Sequence, residues 1–244
     1  MTSGPVQHRT KSVFREYFEA ITIALAVALF LRFFVVEAFK IPSGSMVDTL
    51  EIGDFIFVNK LAYRTEIPFT ALSVPVPLGG TTLKEWRQPE RGDIIVFRWP
   101  VDPHIDYIKR VVGVPGDVIE MRGDALFVNG KKHRREYVES YGYLGQDCRP
   151  RTVKRFAESD GENEYSILQE RRAGLFRNFG PIQVEPGHLF MMGDNRDNSS
   201  DSRAWGQVPI HNVKGRALFV WLSLNRCGSL SERVRWSRFG QAVR

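Results

Sequence analysis

Ala20 to Val36 reads AITIALAVALFLRFFVV, an apolar run whose one charge is Arg32. As a helix it rises roughly 25 Å at about 1.5 Å per residue. With Tyr17, Phe18, Ala38 and Phe39 it reaches bilayer thickness, so the pattern predicts a transmembrane helix over 17–39. Arg32 sits near the end, where its long stem carries the charge to the interface. A buried core helix and a cleaved signal peptide are the alternatives. No small-x-small cleavage site follows before Ser43, which favours an anchor that is retained. Arg9, Lys11 and Arg15 ahead of the run place the N-terminus on the cytoplasmic side. Everything after the run then lies across the membrane.

Beyond residue 40 the period changes from helical to two. GDFIFVNKLAY, GDIIVFRW, YIKRVVGV, DVIEMRGDALFVNGK and HLFMMGD are short β-rich runs bounded by Gly, Asp or Pro. ALFVWLSL (217–224) is strand length, too short to span a bilayer. Asn129-Gly130 after the strand Ala125 to Val128 is a tight-turn dipeptide. Between Lys131 and Gly180 there are eleven Lys/Arg and eight Asp/Glu, which predicts a solvated, peripheral insertion. The expected organisation is a cytoplasmic N-terminus (1–16), the helix (17–39), a β domain (40–130 and 181–225), the insertion (131–180) and a basic tail (226–244).

The 244 residues and 43% hydrophobic content suit a globular domain with ample core. The net charge of +6 is modest, but the tail concentrates five arginines against Glu232. Such a tail is either solvated or set against an anionic surface, lipid or nucleic acid. Cys148 and Cys227 either bridge or remain free. The five histidines are scattered without zinc-ligand spacing, so no metal and no cofactor is expected.

The chemistry centres on IPSGSMVDTL, Ile41 to Leu50, where Ser43 and Ser45 flank a glycine. A serine hydroxyl is a poor nucleophile until a base takes its proton, and no histidine is near in sequence. DYIKRVVGVPGD offers Lys109, whose strand neighbours on the same face are Tyr107 and Val111. A lysine acts as a base only when neutral. That needs a drop of roughly 3 pKa units from about 10.4, a shift that apolar burial supplies. GDNRDNSSDSRAWG, Gly193 to Gly206, is a turn-rich loop in which Asp201 and Arg203 can pair as a brace. It lacks the glycine and closing glutamate of an EF-hand. An Asn198-Ser199-Ser200 glycosylation sequon is formally present.

In this order, behind such an apolar run, these stretches resemble the type I signal peptidases, membrane-bound Ser-Lys endopeptidases, over most of the chain. The resemblance implies a mostly β, antiparallel catalytic domain with an inserted smaller β region, preceded by one N-terminal transmembrane helix. It also implies the removal of signal peptides from exported preproteins after Ala-x-Ala. Ser45 matches the nucleophile and Lys109 the general base. Ser43 matches the hydroxyl that forms the oxyanion hole with the Ser45 backbone N–H. Ser199 matches a serine that hydrogen-bonds and orients the lysine, while Arg110, Asp201 and Arg203 match supporting residues. Phe39, Ile41, Pro42, Met46, Leu50, Ile56, Val96, Asp106, Tyr107 and Ile108 match the substrate-binding positions, whose apolar members wall two shallow pockets.

The implied partners are preprotein signal peptides and membrane phospholipid, with no nucleic acid, at a bacterial plasma membrane. One departure is Asp48, where the family usually carries proline two residues after the methionine. Its loss frees the backbone and brings a carboxylate close to Ser45. The alternatives are a pilin- or conjugation-type maturation peptidase of the same chemistry, a repressor-cleaving type of Ser-Lys autoprotease, and an inactive membrane-tethered peptide-binding β module.

Overall fold

The computed structural model describes residues 13–67, 81–85, 87–170 and 177–244. Arg9 and Lys11 of the N-terminal segment lie outside them. Helix α1 (Val13–Phe30) opens the described chain, with Arg15 Nε donating to Glu19 at 2.9 Å one turn on. It passes into a π-helical turn, Leu31–Val35, and Val36 is already extended (φ −131°, ψ 136°).

The helix expected over 17–39 is therefore shorter at its far end, because Val36–Lys40 forms strand β1 instead. Val35 and Val36, on either side of that boundary, are both apolar. What decides it is pairing, since Val36 to Lys40 register antiparallel with Asn59 to Phe55. No helix among the described residues is long and apolar enough to cross a membrane. In α1, Arg15, Glu16 and Glu19 interrupt the apolar character near its start.

After β1 the chain builds strands almost throughout. β2 (Asp54–Asn59), β3 (Arg64–Ile67), β4 (Thr81–Glu85), β5 (Ile94–Arg98) and β6 (Asp106–Gly113) come first. β7 (Val118–Arg122), β8 (Ala125–Val128) and β9 (Lys131–Lys132) follow. The insertion supplies β10 (Arg134–Leu144), β11 (Pro150–Ser159) and β12 (Glu164–Gln169). β13 (Phe179–Gln183), β14 (His188–Met192), β15 (Val208–Pro209) and β16 (Val213–Ser223) complete the set.

A seven-stranded sheet runs β1-β2-β16-β5-β6-β14-β15, with antiparallel neighbours throughout. A four-stranded sheet runs β13-β7-β8-β9, and β10-β11-β12 form a third. β2 buries every second residue, as a strand with one face on a core does. β6 is buried continuously from Ile108 to Gly113, because it is internal to the large sheet. The Asn129-Gly130 turn forms as expected, both residues at positive φ (53° and 76°), joining β8 to β9.

Two segments pack more closely than their charge suggests. The 131–180 insertion is not merely peripheral: Tyr143, Val153 and Leu168 of its strands pack in one buried cluster with Val47, two residues past Ser45. The tail is not free in solvent either. Val243 joins the main core, Ala242 bridges Phe219, and Arg238 donates to the buried Asp54 carboxylate at 2.7 Å. Cys148 and Cys227, left open by the sequence, are disulfide-bonded across a separation of 79 residues. The bond ties the turn between β10 and β11 to the tail.

Candidate active site

Ser43 is extended (φ −123°, ψ 158°), and the chain then turns through a single 3-10 turn, Gly44–Met46. That turn points Ser45 inward, and only 7% of its surface remains exposed. Two strands of the large sheet, β5 and β6, pair Ile95 with Lys109. β6 thereby carries Lys109 under the serine, where Nζ donates to Ser45 Oγ at 2.8 Å and to the Ile108 carbonyl at 3.0 Å. Ser43 Oγ stands 3.4 Å from Ser45 Oγ. Lys109 is 4% exposed. Burial pushes its ammonium down to about 8, against the opposing pull of Asp201 and Asp194.

Below the pair lies a stack of buried ion pairs. Arg110, next to Lys109 on the opposite strand face, meets Asp194 through two 2.8 Å bonds, and Thr49 Oγ1 donates to the same carboxylate at 2.6 Å. Asp201 accepts from Arg203 Nε and Nη2, both at 2.8 Å, and from the Gly193 N–H at 3.1 Å. Burial would raise the Asp201 carboxyl, but the hydrogen bonds and charge of Arg203 overcome it and hold it below its usual range. Arg196 pairs with Glu158 of β11, whose carboxyl is pulled to about 2: burial raises it, and the Arg196 charge and His133 more than offset that.

Gly193 is required by close approach rather than by its φ. A Cβ there would come within 2.6 Å of the Ser45 carbonyl oxygen and 2.3 Å of Ser199 Oγ. Beside it, Asn195 locks the turn from above. Its backbone N–H donates to the Ser45 carbonyl at 3.0 Å, and its side chain donates to the Gly44 carbonyl and the Tyr143 hydroxyl, both at 3.0 Å.

The structure brings Ser43, Ser45, Lys109, Arg110, Asp201 and Arg203 together as expected from the sequence. It does not form the expected bond from Ser199 to Lys109. Ser199 lies beside the Asp201 carboxylate, and the lysine donates to Ser45 and Ile108 instead. Phe39, Ile41, Met46, Leu50, Ile56, Val96 and Ile108 share one apolar cluster. Met46, Leu50 and Ile56 are wholly buried, so they belong to the core and not to an exposed wall. Pro42 is exposed, Tyr107 packs in a separate aromatic cluster, and Asp106 is an exposed residue paired with Lys214 at 2.7 Å.

The Asp48 carboxylate pairs with Arg155 of β11 at 3.2 Å. A cleft of about 590 Å³ between the insertion and the tail touches Pro42 but includes neither Ser45 nor Lys109.

Residue-type reasoning passed over Asp194, Asn195, Thr49, Tyr143 and Glu158. For Asp194 and Asn195 the signal was present, since they open the same polar loop as Asp201. For Tyr143 and Glu158 there was none, because their partners are 52 and 38 residues away.

Residues 14–222 match the family described as signal peptidase, peptidase S26. The chain is similar to signal peptidase I of Pseudomonas aeruginosa, 42% identical over 85% of this chain and 72% of that one. It is 40% identical to signal peptidase I of Pseudomonas fluorescens over 92% and 78%. With signal peptidase I of Rickettsia typhi the figures are 34% over 88% and 83%. A solved signal peptidase I from Enterococcus faecalis V583 is 29% identical, covering 53% of this chain and 97% of that one, with a TM-score of 0.32.

Proposed function

The chain belongs to the signal peptidase family, peptidase S26, and from that premise we propose that Ser45 and Lys109 are its nucleophile and base. As a member of that family it is a serine endopeptidase that removes signal peptides from preproteins. The observation that carries the proposal is the 2.8 Å contact between a buried lysine amine and a buried serine hydroxyl.

Neutral Lys109 takes the Ser45 proton along that contact, and Oγ attacks the carbonyl that follows a small residue. The oxyanion is met by the Ser43 hydroxyl and the Ser45 N–H, each such donor contributing about 3–4 kcal/mol in comparable sites. The ammonium of Lys109 then protonates the departing amine. Lys109, neutral again, then takes a proton from water, whose attack releases the acyl group, and returns that proton to Ser45 Oγ. An extended substrate gains main-chain hydrogen bonds along a strand edge. Phe39 and Ile108, the least buried side chains of the apolar cluster beside the turn, favour alanine next to the cut and two residues before it.

The finer placement belongs to the same proposal: a bacterial plasma membrane, N-terminus inside and β domain outside, with phospholipid around the apolar helical run. Two observations support it. From Phe18 to Leu31 the large apolar side chains of the run are exposed. The Cys148–Cys227 disulfide suits an oxidising compartment rather than the cytoplasm.

The test is cleavage of a preprotein bearing an Ala-x-Ala site by wild type, Ser45→Ala and Lys109→Met. Wild type alone should yield mature protein, with its new N-terminus directly after the site. Processing that survives in either variant would mean the dyad is wrongly assigned.

A further inference from the structure

Lys109 has an aromatic neighbour as well as the serine. The Tyr107 ring lies on the same strand face, and Lys109 Nζ stands over it, 5.2 Å from the centroid. The ring is not free to turn. It stacks on Trp99 with centroids 5.1 Å apart and planes within 8°, and it meets the rings of Phe97 and Trp205 at 6.4 Å, each near 69°. Phe97 and Trp205 also touch each other at 5.9 Å. Trp205 ends the short helix Ser202–Trp205 that Asp201 caps, so this box joins β6 to the segment carrying Asp201 and Arg203.

A π-face attracts an ammonium and is close to indifferent to a neutral amine. In the Ser-Lys reaction the amine becomes an ammonium when Ser45 gives up its proton, so the attraction grows in the transition state, where it accelerates the step. We propose that Tyr107 is a positioning residue for the base, its face stabilising the lysine ammonium that forms as Ser45 attacks. This rests on the Ser-Lys reading above.

Few other groups face the amine. Ser45 comes from the catalytic turn, and Asp194 and Asp201 from the polar loop, both already paired with Arg110 and Arg203. From β5 the register partner is Ile95, which carries no charge. The two carboxylates act through space, whereas Tyr107 is the group whose contact can be removed without unpairing a buried arginine.

Tyr107 could instead act only as a shield against water, and the two roles predict opposite signs. Losing a shield rehydrates Lys109 and moves its pKa back up towards the ordinary value. Losing a π-face removes a stabiliser of the charged form and moves it down.

The experiment is the pH dependence of kcat/KM on an Ala-x-Ala substrate for wild type, Tyr107→Phe and Tyr107→Leu. Trp99→Leu frees the ring without removing it and serves if Tyr107→Leu does not fold. Tyr107→Leu should move the ascending limb down by about half to one pH unit and lower the plateau several-fold. Tyr107→Phe, which keeps the face, should leave the limb in place, and Trp99→Leu should shift it down by less. An upward or absent shift in Tyr107→Leu, or a limb in Tyr107→Phe that moves with it, overturns the inference. Ser45→Ala and Lys109→Met run alongside: if either stays active, the dyad reading itself has failed, which is a separate outcome.

Discussion

A lysine held 2.8 Å from a serine is a base only if its environment refuses the proton, and Lys109 meets that condition by burial alone. Both nearby carboxylates, Asp194 and Asp201, pull the other way, and each is restrained by its own arginine. Those arginines therefore matter to the amine as well as to stability. Removing Asp201 by substitution with alanine leaves Arg203 charged and buried, at a cost of about 3–5 kcal/mol in a urea melt; a loss under 1 kcal/mol would contradict that picture.

Asp48 gives the opposite expectation. Its partner Arg155 is partly exposed, so Asp48→Ala should cost no more than about 1 kcal/mol and less than tenfold in kcat. A thousandfold loss would return Asp48 to the chemistry. At this scale the sequence was legible where strand alternation or one short loop brings groups together: Lys109 beside Tyr107, Asp201 beside Arg203. It was opaque for Asn195, whose side chain finds Gly44 and Tyr143 only through the packing of distant segments.

Elements show the same division. Strands bounded by Gly and Asp could be read from the chain because a half-buried strand repeats every two residues. The end of the helix could not, because Val35, Val36 and Phe39 are apolar on either side of the change and only pairing to β2 converts them to strand. The inserted β10–β12 sheet misled for a different reason. Its charges are numerous, yet Glu158 turns one of them inward to Arg196 while Tyr143, Val153 and Leu168 cover Val47.

That contact makes the insertion a support for the Ser45 turn, and the disulfide fastens it. Replacing Cys148 and Cys227 by serine should lower stability by about 2–4 kcal/mol, with reduction of the wild type giving an equal loss in a thermal melt. Full stability after reduction would show that the tail holds the insertion without the bond.

Across the whole molecule the buried pairs set the acid limit. The Glu158 carboxyl falls from 4.5 to about 2 on folding, so its contribution is complete above about pH 4.5 and is lost as the pH drops through 2. Unfolding midpoints should be flat from neutrality to about pH 5 and fall below it, whereas Glu158→Gln should be less stable at neutrality and lose less on acidification. With Lys109 as the proposed base, activity has a different window, because it then needs Lys109 neutral rather than Glu158 charged.

The most direct test is therefore the pH profile of kcat/KM on an Ala-x-Ala preprotein. With the lysine lowered from 10.5 to about 8, the rate should climb with pH and reach half its plateau near pH 8, and Lys109→Met should abolish it throughout. A half-plateau near 10.5 would mean burial does not tune the lysine. One near 6.5, or activity surviving in Lys109→Met, would mean that some other group takes the proton from Ser45.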